Sequence, residues 1–303
     1  MKRINLSIMI VVVFLTVFSC NKANNDTAAE TILTGKVTIL VDETILPVIE
    51  DQVMVFENQY NAKINLIAKS ETEIIKLLSE GKNDLAIVTR TLTPGEGAFF
   101  ENEKIKARVT PFATDGVAFI SDKNNASKKI DLNEVIAFMQ GKPNSLAGVV
   151  FDNPNSSTVK YFMDLAKVKE LPKEKIFSFN TNNEVIEFIS KNKGMVGVVG
   201  VNWLMQPMPE FQKVVDKVSV LEVKVNNNTF AKPTQDLIAS GIYPIRREIK
   251  MINYQGREGL GMGFASFVAG EIGQRIILKS GLVPVRMPSR NIIIRKEIEK
   301  SIK

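Results

Sequence analysis

Apolar positions fall in short runs separated by polar turns, and the runs alternate between two spacings. Residues 36–41 (KVTILV) form a run of strand character. Residues 46–56 then follow a helical spacing, with Pro47 suited to a first turn. A second strand is predicted over 63–68. A helix over 72–79 turns Ile74, Ile75, Leu77 and Leu78 inward, and Gly81 ends it. Residues 84–88 (DLAIV) read as a third strand. This β-α-β-α-β order predicts an α/β fold with a parallel sheet and helices on its faces.

The pattern changes and then resumes. Residues 108–120 hold two short strand-like pieces around Ala113-Thr114-Asp115-Gly116. A second α/β stretch follows: helix 132–140, strand 147–151, helix 156–166, helix 184–193 and strand 195–200. Polar and Pro-rich stretches at 205–210 and 226–234 read as loops. Residues 243–245 and 248–254 lead into an apolar helical run over 260–282, interrupted by glycines, and a basic tail over 290–303. No repeat recurs at a fixed period.

The N-terminus has a separate logic. Lys2 and Arg3 precede an apolar stretch over 4–18, and Ser19-Cys20 leads into a polar run. Charge, a short apolar core and a small residue before a cut describe a signal peptide, residues 1–19. The apolar stretch is shorter than the roughly 20 residues of a spanning helix. Val17-Phe18-Ser19-Cys20 resembles a relaxed lipobox, which makes Cys20 a lipidation site. It is the one cysteine in the chain, so no internal disulfide can form. Residues 20–34 then read as a flexible tether, and a lipid-anchored, periplasmic location is expected, with surface exposure left open.

Composition excludes several functions. There is no histidine, which removes the commonest general base and metal ligand. No P-loop, Gly-x-Ser-x-Gly elbow or metal-ligand spacing occurs, so no cofactor, metal or catalytic residue is expected. Only carboxylates such as Asp42, Glu43, Glu71 and Asp84 leave a route to acid–base chemistry, and a binder is favoured over an enzyme. The net charge of +6 is spread along the chain without a dense basic block, which argues against nucleic acid. The glycines at 256, 259, 261 and 263 lack the lysine and spacing of a phosphate loop. Trp203, Phe264 and Phe267 are expected in the core, and Met205 and Met208 in a packed loop.

Ligands of open α/β sheets bind beyond the carboxyl ends of the strands. Those ends carry Asp42-Glu43-Thr44, Lys69-Ser70-Glu71-Thr72, Thr89-Arg90 and residues 152–158. Hydroxyls just before a helix either cap it or share its free N–H groups with an anion. Spacing does not choose between the two.

In order along the chain, Val41-Asp42-Glu43-Thr44-Ile45-Leu46-Pro47, Ser70-Glu71-Thr72 and residues 81–90 resemble the first lobe of the phosphate-binding components of ABC transporters. Residues 115–120 resemble that family's first interlobe crossing. Asn155-Ser156-Ser157-Thr158 resembles its Ser-Gly-Thr helix start, and residues 194–200 with Trp203 its late second-lobe strand. Residues 243–247, 264–267, 273–277 and 281–284 resemble its return segment. The resemblance implies a two-lobed type II periplasmic-binding-protein fold with two hinge crossings. Lobe 1 would take 35–115 and 240–303, and lobe 2 would take 116–239. It implies phosphate or another small solute as ligand, an ABC permease as partner, hydroxyl donors at Thr44, Ser70, Ser156, Ser157 and Thr158, and Asp84 as acceptor.

The sequence departs from that pattern in charge. Asp42 and Glu43 replace small residues, Glu71 and Glu73 replace glycines, and Asp152 stands where the family has an arginine. Carboxylates around a buried anion are unfavourable unless neutralised or turned away. Lys69, Arg90, Lys160, Arg246, Arg247 and Arg257 are the cations available to compensate, and spacing does not rank them. Two alternatives stand beside the phosphate reading. One is an acidic cleft of Asp42, Glu43, Glu71 and Asp152 for a cationic or organic solute. The other is a surface interaction protein that docks through the basic tail.

Overall fold

The structure, a computed structural model, describes residues 30–288. Cys20, most of the tether and the basic tail lie outside the described residues. The chain opens with β1 (Gly35–Asp42), a 3-10 turn (Glu43–Ile45), α1 (Leu46–Gln59), β2 (Ala62–Lys69), α2 (Glu71–Ser79), β3 (Leu85–Val88), α3 (Pro94–Asn102) and β4 (Arg108–Asp122). β1 pairs in parallel with β2 and β3, so the turns that follow all three strands meet at one edge of the sheet. The strands form because near-continuous apolar runs such as Leu85–Val88, buried throughout, suit a sheet covered on both faces. α3 lay outside the pattern reading, although its start carries a capping box. The Thr93 hydroxyl accepts from Glu96 N, the Glu96 carboxylate accepts from Thr93 N, and Pro94 opens the first turn.

The second unit adds β5 (Lys129–Ile130), α4 (Leu132–Met139), β6 (Val149–Phe151), α5 (Ser157–Ala166), β7 (Ile176–Ser178), α6 (Asn182–Lys191), β8 (Val196–Gly200), α7 (Asn202–Met205), α8 (Gln212–Val215), β9 (Val218–Val220), β10 (Glu222–Lys224), β11 (Phe230–Ala231) and α9 (Gln235–Ala239). Here β6 is parallel to both β7 and β8. The chain returns through β12 (Arg246–Asn253), α10 (Leu260–Ala269), α11 (Glu271–Lys279) and β13 (Val283–Pro284). The apolar run over 260–282 is therefore two helices, broken at Gly270, with the short strand β13 just after it.

The two strand-like pieces expected over 108–120 are one continuous 15-residue strand, β4. It stays extended because it changes partner rather than direction. Residues up to Gly116 pair with β12, and from Val117 the strand pairs with β8. The apolar core divides at the same place. One cluster runs from Val117 through Phe162 and Val199 to Tyr243 and Ile245. The others hold Ile39, Phe56, Phe112, Ile249 and Phe264, with Leu78 and Phe100 on the far side of the sheet. Two parallel-stranded lobes thus share β4 as one crossing and the segment before β12 as the other.

The N-terminal strap is fixed to the first lobe. Glu30 accepts from Leu260 N and from Arg257, both at 2.8 Å. Gly263 is required beneath it, because a Cβ there would lie 1.7 Å from the Ile32 carbonyl oxygen. β1 starts here and runs about 26 Å to the opposite edge of the sheet. Among the described residues no helix is long and apolar enough to cross a membrane.

Tyr243 stands at the second crossing, fully buried, and its hydroxyl donates to the Val117 carbonyl at 2.6 Å. Tyr243→Phe would leave that contact unmade in a closed core. A loss of about 1–2 kcal/mol is expected, read as a melting temperature lower by roughly 2–6 °C. An unchanged melt would show that the crossing does not depend on it.

Candidate functional site

The carboxyl ends of the first-lobe strands face the N-terminus of α5 across a cleft, and the side chains there bond from one lobe to the other. Asp42 ends β1 and accepts from Thr44 N at 3.0 Å, which fixes the 3-10 turn. That turn presents the Thr44 hydroxyl 3.2 Å from the Ser157 hydroxyl of the second lobe. The Thr44 carbonyl accepts from Trp203 Nε1 at 2.7 Å and Asn202 Nδ2 at 3.3 Å. Further along the edge, Thr72 donates through its hydroxyl to the Asn155 carbonyl at 2.9 Å. The lobes are closed on one another.

Arg247 occupies the centre. Its guanidinium donates through Nη1 to Ser157 (2.6 Å) and Thr158 (3.3 Å), and through Nη2 to Thr44 (3.1 Å). Nε and Nη2 hold Asp115 Oδ2 at 3.2 and 2.9 Å, a pair set by register because Arg247 and Asp115 are opposite each other on β12 and β4. The side chain is 3% exposed. Burial works against its charge, but Asp115 and Asp42 outweigh it and the guanidinium stays protonated. Of the six cations available from sequence, it alone reaches this point. Arg90 chelates Glu96 at 2.8 and 2.9 Å, with Nε 3.8 Å from Glu71. Lys69 pairs with Glu73, Lys160 with Asp164, and Arg257 with Glu30, while Arg246 is exposed.

The hydroxyls expected as donors divide into two groups. Thr44, Ser157 and Thr158 converge on Arg247. Ser156 does not: it caps α5 by accepting from Val159 N (3.2 Å) and donates to Asp152 at 2.6 Å. Ser70 is buried at the start of α2 but donates to Glu73 at 3.1 Å. Asp84 is corrected outright. It precedes β3 and so lies at the opposite end of that strand from Thr89 and the cleft, where it lines a cavity of about 360 Å³ with Glu30, Lys36, Lys82 and Arg257.

Of the five carboxylates that depart from the family pattern, Asp42, Glu43, Glu71 and Asp152 lie in or beside the cleft, while Glu73 is held by Lys69 and Ser70. Asp152 is turned into its own lobe, where Oδ1 accepts from Ser156 and Oδ2 from Asn182 Nδ2 at 3.0 Å. Asn182 Oδ1 in turn accepts from Gly200 N at 3.1 Å. Burial nonetheless pushes Asp152 up to about 7, with Asp42 adding to it. Glu43 is also raised to about 7, by burial first and then by Asp152 and Asp42. Glu71 is buried and raised by burial and Asp42, although it accepts from both the amide and the hydroxyl of Thr89 at 2.8 Å. Asp115 is raised by burial in spite of Arg247.

Among the described residues three buried carboxylate oxygens lack a well-formed hydrogen bond, Asp42 Oδ2, Glu43 Oε1 and Asp115 Oδ1, although Asn153 and the Gly116 amide lie close to the Glu43 and Asp115 carboxyls. The cleft therefore offers two kinds of contact, a guanidinium with hydroxyls and a set of free acceptors. Trp203 behaves as expected of a packing residue, set against the second-lobe core. Arg247 was one of six equal candidates, yet a signal separates it. In the β12 alternation Arg247 shares its inward face with Ile249 and Met251, while Arg246 and Glu248 point out. Asp115 and Asn182 carried no such signal.

The fold and cleft define a two-lobed binding protein of the type II periplasmic class. The chain belongs to the PBP superfamily, whose domain model matches residues 25–271. A putative phosphate ABC transporter substrate-binding protein from Clostridium perfringens, solved with bound phosphate, superposes with a TM-score of 0.67 at 19% identity, covering 83% of this chain and all of that one. An ABC-type phosphate transport receptor from Vibrio cholerae gives 0.63 at 17% identity, over 82% of this chain and 100% of its own. In sequence the chain is 22% identical over 181 residues to the phosphate-binding protein PstS of Staphylococcus epidermidis, and 23% over 182 residues to that of Staphylococcus aureus. These matches cover 56% of this chain and only about half, 53%, of each relative's length. At such identities the likeness is one of fold.

The raised carboxyls make stability depend on pH. Asp152 and Glu43 sit near 7 in the folded chain against about 4 when unfolded. The folded state binds their protons more readily, so their contribution is fully present below about pH 4 and is lost as pH rises through 7. The melting temperature should fall between pH 5 and pH 8, and Asp152→Asn should flatten that fall while melting above the parent at pH 8. Parallel curves for parent and variant would show that Asp152 is not the titrating group.

Proposed function

We propose that this chain is a solute-binding lipoprotein that captures phosphate or a related oxyanion in the interlobe cleft and presents it to an ABC permease. The observation that carries this reading is the convergence of the Arg247 guanidinium with the hydroxyls of Thr44, Ser157 and Thr158, drawn from both lobes and from a crossing strand. Each of these hydroxyls accepts from Arg247; one of Thr44 and Ser157 donates to the other at 3.2 Å, and that hydrogen turns to the solute when the lobes part. An oxyanion entering beside them meets charge-assisted and neutral donors together, at the N-terminus of α5. The names of the phosphate-binding relatives support the same ligand class.

Anion capture then follows from the hinge. With the lobes apart, Thr44 and Ser157 face solvent from separate walls. The anion bridges them, and closure over β4 and the segment before β12 removes it from water. The acidic surroundings are tolerable because burial favours the neutral forms of Glu43 and Asp152 and Asp152 is bonded inward. No chemical step is assigned. The chain has no histidine, and its one cysteine is the proposed lipidation site, Cys20. The strap at Glu30 leaves the first lobe at the sheet edge opposite the cleft, so an anchor on Cys20 would leave the cleft free to face a permease.

Millimolar phosphate should raise the melting temperature, as a ligand specific for the folded state must. Calorimetry should show Arg247→Gln weakening binding by about 10–100-fold and Ser157→Ala by about tenfold. Affinity should rise as pH falls from 8 to 6, because Glu43 and Asp152 take up protons and repel the anion less. No heat and no thermal shift with phosphate, arsenate, sulfate or a phosphate ester at any of these pH values would rule the reading out.

A further inference from the structure

Asp42 and Asp115 are fully buried, and each has one carboxylate oxygen without a well-formed hydrogen bond among the described residues. Asp42 accepts through Oδ1 from Thr44 N, and Asp115 through Oδ2 from Arg247, with the Gly116 amide beside the Asp115 carboxyl. Glu43, half-buried at the cleft mouth between Asp42 and Asp152, has a third such oxygen. Buried acceptors in folded proteins are almost always paired. Asp115 and Asp42 lie beside the guanidinium at the cleft centre, and Glu43 lies beside Asp42. Arg90, beside Glu71, is committed to Glu96 by two hydrogen bonds. A plain oxyanion would satisfy Arg247 and the hydroxyls but would offer no donors to these oxygens, and it would add negative charge beside them.

We infer that the solute is zwitterionic, an oxyanion that carries a primary amine a short distance away, such as an aminoalkyl phosphate ester or phosphonate. The oxyanion takes Arg247, Thr44, Ser157 and Thr158. The ammonium takes the free oxygens of Asp42 and Glu43, with Asp115 behind. An ammonium brings three donors and one positive charge, which matches three unpartnered acceptors in an acidic pocket. The inference rests on the oxyanion reading of the same cleft and narrows its ligand. It also accounts for acidic residues at 42 and 43, where the resembling family has small ones, as ammonium ligands.

The test is calorimetry on the full chain with four probes: inorganic phosphate, ethyl phosphate, O-phosphoethanolamine and ethanolamine. O-Phosphoethanolamine should bind at least tenfold tighter than ethyl phosphate, which differs by the amine alone. Glu43→Gln should shrink that ratio, and because Glu43 caps nothing and is half-exposed, the variant should keep its fold by circular dichroism. Asp42→Asn should shrink the ratio further if it folds. Equal affinity for the two esters overturns the inference and leaves the oxyanion reading intact. Failure of all three phosphates, with or without binding of ethanolamine, overturns both.

Discussion

Arg247 and Asp115 face each other beside the two crossings, where β12 begins and β4 leaves the first lobe, and the cleft is organised around their ion pair. Taking both charges out of water costs several kcal/mol per ion, which the pair offsets only through close geometry and full hydrogen bonding. The guanidinium is satisfied by Asp115 on one side and by Thr44, Ser157 and Thr158 on the other. Asp115 is only half satisfied, with Oδ1 free. The pair therefore depends on both lobes being in place. A group placed so that it bonds to each lobe and to the strand joining them couples whatever enters the cleft to the angle between the lobes.

Charge then decides what can enter. In isolation, Asp152 in place of an arginine makes the cleft hostile to anions. In the folded chain the burden moves elsewhere. Asp152 turns toward Ser156 and Asn182, and the positive charge arrives from β12 instead. The cleft keeps a cation at its centre, but one lodged among carboxylates with unused oxygens. Such a site discriminates through the donors a solute brings as well as through its negative charge.

Much of this was legible in the residue pattern. The parallel strands followed from buried apolar runs, and the turns at their carboxyl ends placed Asp42, Thr44, Ser157 and Thr158 near a cleft. Failures came where a local pattern has no information about partners. β4 read as two pieces because a strand that exchanges neighbours at Gly116 looks interrupted from sequence. Asp84 was attached to the right strand but to its wrong end, since a resemblance by residue type does not register strand direction. Ser70 and Ser156 have the residue type of a donor, but their hydrogens are spent on Glu73 and Asp152. Arg247 was distinguishable from Arg246 only by strand alternation, and Asp115 only by cross-strand register.

The central claim is that an oxyanion is held where Arg247 meets the hydroxyls of both lobes. A crystal structure grown with phosphate or a phosphate ester tests it most directly. A tetrahedral anion within hydrogen-bonding distance of Arg247, Ser157 and Thr158 is the predicted result. An anion found only at surface lysines, with Arg247 still bonded to Thr44 and Ser157 in a closed cleft, would contradict it.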